Sequence, residues 1–180
     1  GYHTNGEYEG APRAEDANYT VPVHGKYQPS GFYWNALAKG YKLGVQSSSD
    51  HVSTHSSYTL IYTPTTNRTD IVESMRKRHA YGATDNIVLD FEARDAAGRQ
   101  YLMGDAFAAS ATPQFSIKVL GTAGIDKVEI VKDGKFVFTS PGTSDRAEFT
   151  YVDSSPGGRE SYYYVRVIQK DRNLAWSSPI

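Results

Sequence analysis

The feature that most constrains this chain is a change of period after Ala83. From Asn86 onward, apolar residues recur in short alternating runs separated by turn residues, with no helical spacing between them. "EIVKDGKFVF" (129–138) gives the clearest local signal. Asp133-Gly134 between two alternating runs specifies a tight hairpin of the primed-turn type. "ESYYYVRVIQ" (160–169) alternates throughout and reads as a long strand with one buried face. Strands are expected near 86–93, 100–103, 115–121, 126–132, 135–140, 146–152, 160–169 and 173–177. Such a series, with turn signals every eight to twelve residues, is the pattern of an immunoglobulin-like sandwich. The chain has no cysteine, so the expectation concerns architecture and not the Cys–Trp–Cys core of antibody domains.

Before Ala83 the texture differs. Residues 1–30 hold three prolines (Pro12, Pro22, Pro29) and sustain no period. Ser30 and Gly40 bracket a short amphipathic helix built on Phe32, Tyr33, Ala36 and Leu37. "YKLGVQSS" (41–48) and "YTLIYT" (58–63) read as strands. Asn67 can cap a helix over 68–79, with Asp70 in its first turn and Arg76, Lys77 and Arg78 in its last, where the helix dipole favours each sign. Ile71, Val72 and Met75 make its apolar face. Helix, strand, loop, strand, helix is an α/β order. The expected fold class is therefore α+β: a partial α/β unit over 1–84 followed by an all-β sandwich over 85–180.

Composition excludes several function classes. A net charge of −1 gives no electrostatic basis for binding nucleic acid. Without cysteine there is neither a disulfide framework nor a thiolate metal site. No apolar run reaches the 18 residues of a membrane span. The opening "GYHTNGEYEG" lacks the basic and apolar regions of a signal peptide and reads like the interior of a longer sequence.

Chemistry concentrates in "GVQSSSDHVSTHSSY" (44–58). Asp50 and His51 follow the candidate strand 41–48, and His55 lies four residues on. Loops at the carboxyl ends of α/β strands gather ligands and metals. One carboxylate with imidazoles suits Zn, Mn or Fe. By spacing alone the alternative stays open: Asp50 caps a turn and both histidines sit on a wet loop. His3, Glu7 and Glu9 read as solvated loop residues, His24 as turn decoration, and His79 as a cation at a helix end. Arg13, after Pro12, can hold an anionic substrate group, although a lone arginine is more often a surface residue. There is no nucleophile elbow, phosphate-binding glycine loop or zincin motif, and no residue stands out as catalytic.

Longer stretches carry a resemblance. "GYKLGVQSSSDHVSTHSSYTLIYT", "RTDIVESMRKRHAYGATDNIVLDF", "MGD", "GTAGIDKVEIVKDGKFV" and the final "AWSSPI" resemble the carboxyl-terminal part of an uncharacterised bacterial family. Its members have a metal-dependent domain of the polymerase-and-histidinol-phosphatase (PHP) type, and "GEYEGAPRA" is similar to their segment after a barrel strand. The resemblance implies an incomplete PHP-type barrel remnant over 1–84, and phosphoester hydrolysis by metal-activated water in the parent protein. It implies Asp50 and His51 as divalent-metal ligands, with His55 a further ligand or neighbour. The family's earlier His-x-His motif is missing from this sequence. The implied partner is the remainder of the parent barrel, and the isolated chain is expected to be inactive. Exposed strand edges of a remnant would favour a homo-oligomer. The alternative is a non-catalytic binding or structural module. A terminal sandwich fits an exported (periplasmic or secreted) bacterial enzyme.

Overall fold

The computed structural model describes residues 6–8, 10–11, 31–49, 57–155 and 158–180. Among the described residues, ten strands and two helices follow one another: α1 (Tyr33–Ala38), β1 (Tyr58–Ile61), α2 (Arg68–Arg76), β2 (Ala80–Ala83), β3 (Val88–Arg94), β4 (Gln100–Leu102), β5 (Gln114–Leu120), β6 (Ile125–Lys132), β7 (Lys135–Pro141), β8 (Arg146–Val152), β9 (Tyr163–Gln169) and β10 (Leu174–Ser177). The strands form two antiparallel sheets, ordered β1-β2-β10-β9-β6-β7 and β4-β3-β5-β8. Strands β3, β5 and β8 against β7, β6, β9 and β10 follow the strand order of an immunoglobulin-type sandwich. Strand β4 widens the smaller sheet, while β2 and β1 widen the larger one.

This overturns the expected partial α/β barrel. Helix α2 links β1 to β2, and those strands pair antiparallel, Tyr58 opposite Ala83 and Ile61 opposite Ala80. A βαβ crossover needs parallel strands, so α2 serves as a long hairpin connection. Strand β2 then pairs with β10 at the far end of the sequence, Ala83 opposite Ala175. The strands that precede Thr84 thus belong to a sheet of the sandwich, not to a barrel remnant.

Local chemistry explains the elements. Asp133 and Gly134 both take positive φ (50° and 70°), the backbone that a primed turn requires. Asn67 caps α2, its side-chain oxygen accepting from the Asp70 amide at 2.8 Å. The helix ends at Arg76, short of the expected 79, because Arg78 turns to φ 63° and His79 leads into β2. Between Ile130 and Val131 the β6–β7 register shifts, so that Phe136 faces Val131 and Phe138 faces Ile130. The bulge leaves Val137 as the extra residue. Phe136 therefore meets Tyr8 and Trp34 on the outer face, while Phe138 meets Phe149 and Tyr151 at the sandwich edge.

The core lies between the sheets. Leu89, Phe91, Phe115, Ile117, Ile125, Val128, Ile130, Val165 and Val167 are fully buried there. Each side chain of this size removed from water contributes about 1.5–3 kcal/mol. Strand β5 shows the period plainly, with Phe115, Ile117 and Val119 inward and their neighbours outward. Strand β9 does not: Tyr163 through Val167 are all buried, against the expectation of one buried face. Its outer face is covered by α1 and the residues around Glu7.

Residues 41–49 continue that cover. They form no strand, contrary to expectation, but run as an irregular strap over β2 and β10. The Val45 amide donates to Ser178 Oγ at 2.9 Å. Gly82 permits the close crossing: a Cβ there would stand 2.1 Å from Ser47 Oγ and 3.1 Å from the Ser47 nitrogen.

Candidate functional site

Asp50, His51, His55 and Arg13 lie outside the described residues. What the structure describes is the frame on either side of the first three. The Ser47 amide donates to Thr59 Oγ1 at 3.1 Å, and the same hydroxyl donates to the Ser47 carbonyl at 2.6 Å. Two residues further in, the Ser57 amide donates to Ser49 Oγ at 2.9 Å, and that hydroxyl donates to the Ser57 carbonyl at 3.0 Å. Both hydroxyls act as donor and acceptor at once. The run of hydroxyl residues in the sequence thus forms a two-rung clasp. It joins the strap to β1 and brings together the two ends of the stretch that carries Asp50, His51 and His55.

A second polar constellation occupies the outer face of the larger sheet, where sequence reasoning expected none. Arg166 on β9 is 2% exposed and faces Glu129, its register partner on β6. Its Nε and Nη2 donate to Glu129 Oε2 at 2.9 and 2.7 Å. Its Nη1 donates to Glu7 Oε2 at 2.8 Å. Glu7 also accepts from Trp176 Nε1 at 3.2 Å and from the Tyr164 hydroxyl, which itself accepts from Trp34 Nε1. The guanidinium carbon lies 4.5 Å from the Phe136 ring centroid and 5.7 Å from that of Tyr8. The carbonyls of Gly6 and Glu7 accept from the Tyr33 and Trp34 amides, which ties this segment to the start of α1.

Charge is balanced within this network. Burial opposes the Arg166 charge, but Glu7, Tyr8 and Glu129 together hold its pKa above the ordinary value. Burial pushes the Glu129 carboxyl up, yet Lys127, 2.8 Å from Oε1, and Arg166 bring it below the ordinary value. Glu7, read from sequence as solvated, is 8% exposed and engaged through both oxygens. Its described contacts are a set of complementary donors, so the network secures segments of chain instead of presenting an open reactive group. The missed signal was available for two of its members. Arg166 and Glu129 are single opposite charges amid "YYYVRVI" and "VEIV", whereas nothing local marks Glu7.

Other titratable groups among the described residues are also paired. His79 meets α2 through its backbone amide, which donates to the Ser74 carbonyl at 3.0 Å, while its ring Nε2 lies 2.8 Å from Asp105 Oδ1, and Asp105 Oδ2 accepts from the Leu102 amide. Burial raises the Asp153 carboxyl, but Lys132, the Ser155 amide and Tyr163 bring it below the ordinary range. A shallow hollow on the outer face of the smaller sheet is lined by Asp90, Glu92, Arg94, Lys118 and Thr150. Its charges are of mixed sign. Among the described residues there is no group of three or more histidines and carboxylates that could hold a metal ion. No described helix is long and apolar enough to cross a membrane.

The chain is similar to uncharacterised bacterial proteins. An uncharacterised protein of Chlamydia pneumoniae is 32% identical over 126 residues, covering 63% of this chain and 20% of the relative. Uncharacterised proteins of Chlamydia muridarum and Chlamydia trachomatis serovar D are each 28% identical over 131 residues, with the same coverage. The chain spans about a fifth of the length of these curated relatives. No family model matches the chain, and no solved structure does.

Proposed function

We propose that this chain is the carboxyl-terminal part of a larger metal-dependent hydrolase with chemistry of the PHP type. In this reading it supplies Asp50 and His51 as ligands to a divalent metal, with His55 a further ligand or neighbour. The other ligands come from a part of the polypeptide outside this chain. The two-rung clasp is the observation that carries the reading. Ser47–Thr59 and Ser49–Ser57 fix both ends of the Asp50–His55 stretch against β1, which the sandwich holds in place. Functional groups gain precision when a rigid element supports them in this way.

The donor chemistry fits the group. One carboxylate and two imidazoles suit Zn, Mn or Fe, and a catalytic zinc centre uses three protein ligands and an open position. When bound, such a metal supplies an activated water for phosphoester hydrolysis. Arg13 is assigned to contact the anionic substrate. The sandwich itself performs no chemistry; it braces the segment that does.

Metal analysis of the purified chain tests this, together with hydrolysis of p-nitrophenyl phosphate in Mn or Zn. Weak metal binding, abolished by Asp50→Ala with His51→Ala, and no turnover are expected. Tight stoichiometric metal with turnover by the chain alone would refute the shared site. Metal binding unchanged in the double variant would refute the ligands and leave a non-catalytic structural module.

A further inference from the structure

The hollow on the outer face of the smaller sheet is built by strand register and side-chain length. Phe91, Phe115, Ile117 and Phe149 point into the core, so their neighbours on β3, β5 and β8 point outward. Glu92, Ser116 and Thr150 lie side by side across these strands, Glu92 opposite Ser116 and Ser116 opposite Thr150. Two of the three are short. The rows on either side carry longer side chains: Arg94 opposite both Gln100 and Gln114, and Asp90 opposite Lys118. A low row between taller ones makes a trough across the strands, about 420 Å³ in volume. Small-molecule sites span about 300–1,000 Å³, so one or a few small rings fit.

The lining selects a class of ligand. Its charges cancel, Asp90 and Glu92 against Arg94 and Lys118, so neither an anion nor a cation is favoured overall. The backbone under the floor is already paired, β3 with β4 and β5, and β5 with β3 and β8, so a peptide cannot add a strand there. Donors and acceptors alternate around the trough, and the Ser116 and Thr150 hydroxyls act as both. Glu92 also has accepting capacity left. At Glu129, Asp153 and Asp171 burial raises the carboxyl pKa, but donors in contact bring it below the ordinary value. At Glu92 burial, and then the neighbouring Asp90, raise it more than Lys118 and Arg94 lower it. Its hydrogen bond from Gln100 is long, at 3.4 Å, and Lys118 lies 3.3 Å from the exposed Glu148, a contact that a ligand can replace at little cost. We propose that this trough binds a neutral saccharide, whose hydroxyls donate to Asp90 and Glu92 and accept from Arg94, Gln100, Gln114 and Lys118. The proposal goes beyond the hydrolase reading and does not depend on Asp50, His51 or a metal.

Titration of the purified chain with cellotriose, chitotriose and maltotriose, read by amide NMR shifts, tests this. With polar contacts and no apolar anchor, a Kd of about 1 mM is expected for at least one of the three. The shifts should centre on Glu92, Ser116 and Thr150. Ser116→Leu fills the floor and should abolish them, while Glu92→Ala should weaken binding about tenfold. Both side chains face outward, so both variants should melt close to the unsubstituted chain. Should Ser116→Leu lose stability, Glu92→Ala alone decides. No shift with any of the sugars at about 10 mM, ten times the expected constant, would overturn the proposal. So would shifts that lie away from the trough, or that persist unchanged in Glu92→Ala. If inorganic phosphate or trialanine moved these amides and the sugars did not, the ligand would be ionic or peptidic and the assignment would fail. Metal content is read separately, so failure of the metal site and failure of this trough give different results.

Discussion

The two faces of the larger sheet are held in opposite ways. The inner face meets the smaller sheet through apolar side chains from consecutive strands, and its partners are neighbours in the sandwich. The outer face is closed by residues from the first third of the sequence, through charge and hydrogen bonds. Glu7 and Arg166 are 159 residues apart in the chain. An apolar face tolerates approximate partners, because burial is not directional. A face built on a buried guanidinium does not, because each unpaired charge left behind is costly.

The largest effects separate the two faces by location, not by size. Phe115→Ala empties a fully buried position between the sheets and should cost about 3–5 kcal/mol. Arg166→Ala leaves the buried Glu7 without its cation and Glu129 with Lys127 alone, and should cost a similar amount, about 3–5 kcal/mol. Denaturant melts should show comparable losses. Hydrogen exchange should not: Phe115→Ala lowers protection in both sheets, while Arg166→Ala first releases α1 and the strap. The comparison breaks if Arg166→Ala loosens β3 and β5 as much as it loosens α1.

This division also governs what could be read from sequence. The hairpin β6–β7, strands β3 to β10 and the cap of α2 follow from short-range pattern: Asp133-Gly134, the alternation of Phe115, Ile117 and Val119, and Asn67 before Asp70. What failed depends on distant partners. Strand β2, "AYGA", has weak strand propensity and exists because β1 and β10 pair with it on either side. The strap 41–49 has a strand's composition but finds no ladder, since the sheet beneath it is already paired. The α/β reading failed for a related reason. The order of elements around α2 is the same for a crossover and for a long hairpin, and only pairing direction distinguishes them. Within the candidate site, the serine run was legible as polar but not as a clasp, because its partners Ser57 and Thr59 come from the far side of the loop.

A smaller perturbation examines the seam between the strap and the sheet. Gly82→Ala puts a methyl group 3.1 Å from the Ser47 nitrogen and 3.2 Å from the Gln46 carbonyl carbon. The strap must shift, at a cost of about 1–3 kcal/mol. The loss should be confined to the outer face, with faster exchange at Val45 and Ser47. It should also weaken metal binding if the clasp positions Asp50 and His51. Faster exchange throughout the core would mean that strap and sandwich are one cooperative unit.

The smallest effect comes from pH. Both Glu129, on the outer face, and Asp153, paired with Lys132 and Tyr163, have carboxyl pKa values held below the ordinary range. A carboxyl whose pKa is lower in the folded state contributes stability that is present above its unfolded value, about 4. That contribution is lost as pH falls through the folded value. Stability should therefore be flat from pH 7 to about 5 and decline below about 4. Glu129→Gln, which keeps the shape but not the charge, should lower stability at pH 7 and flatten the decline, and its exchange signature should lie on the outer face. Asp153→Asn should flatten the decline as well, but at the junction of β6, β8 and β9. If Glu129→Gln left the acid branch of the melting curve unchanged, the outer face would owe its closure to its aromatic rings, and the contrast between the two faces would shrink to one of sequence distance.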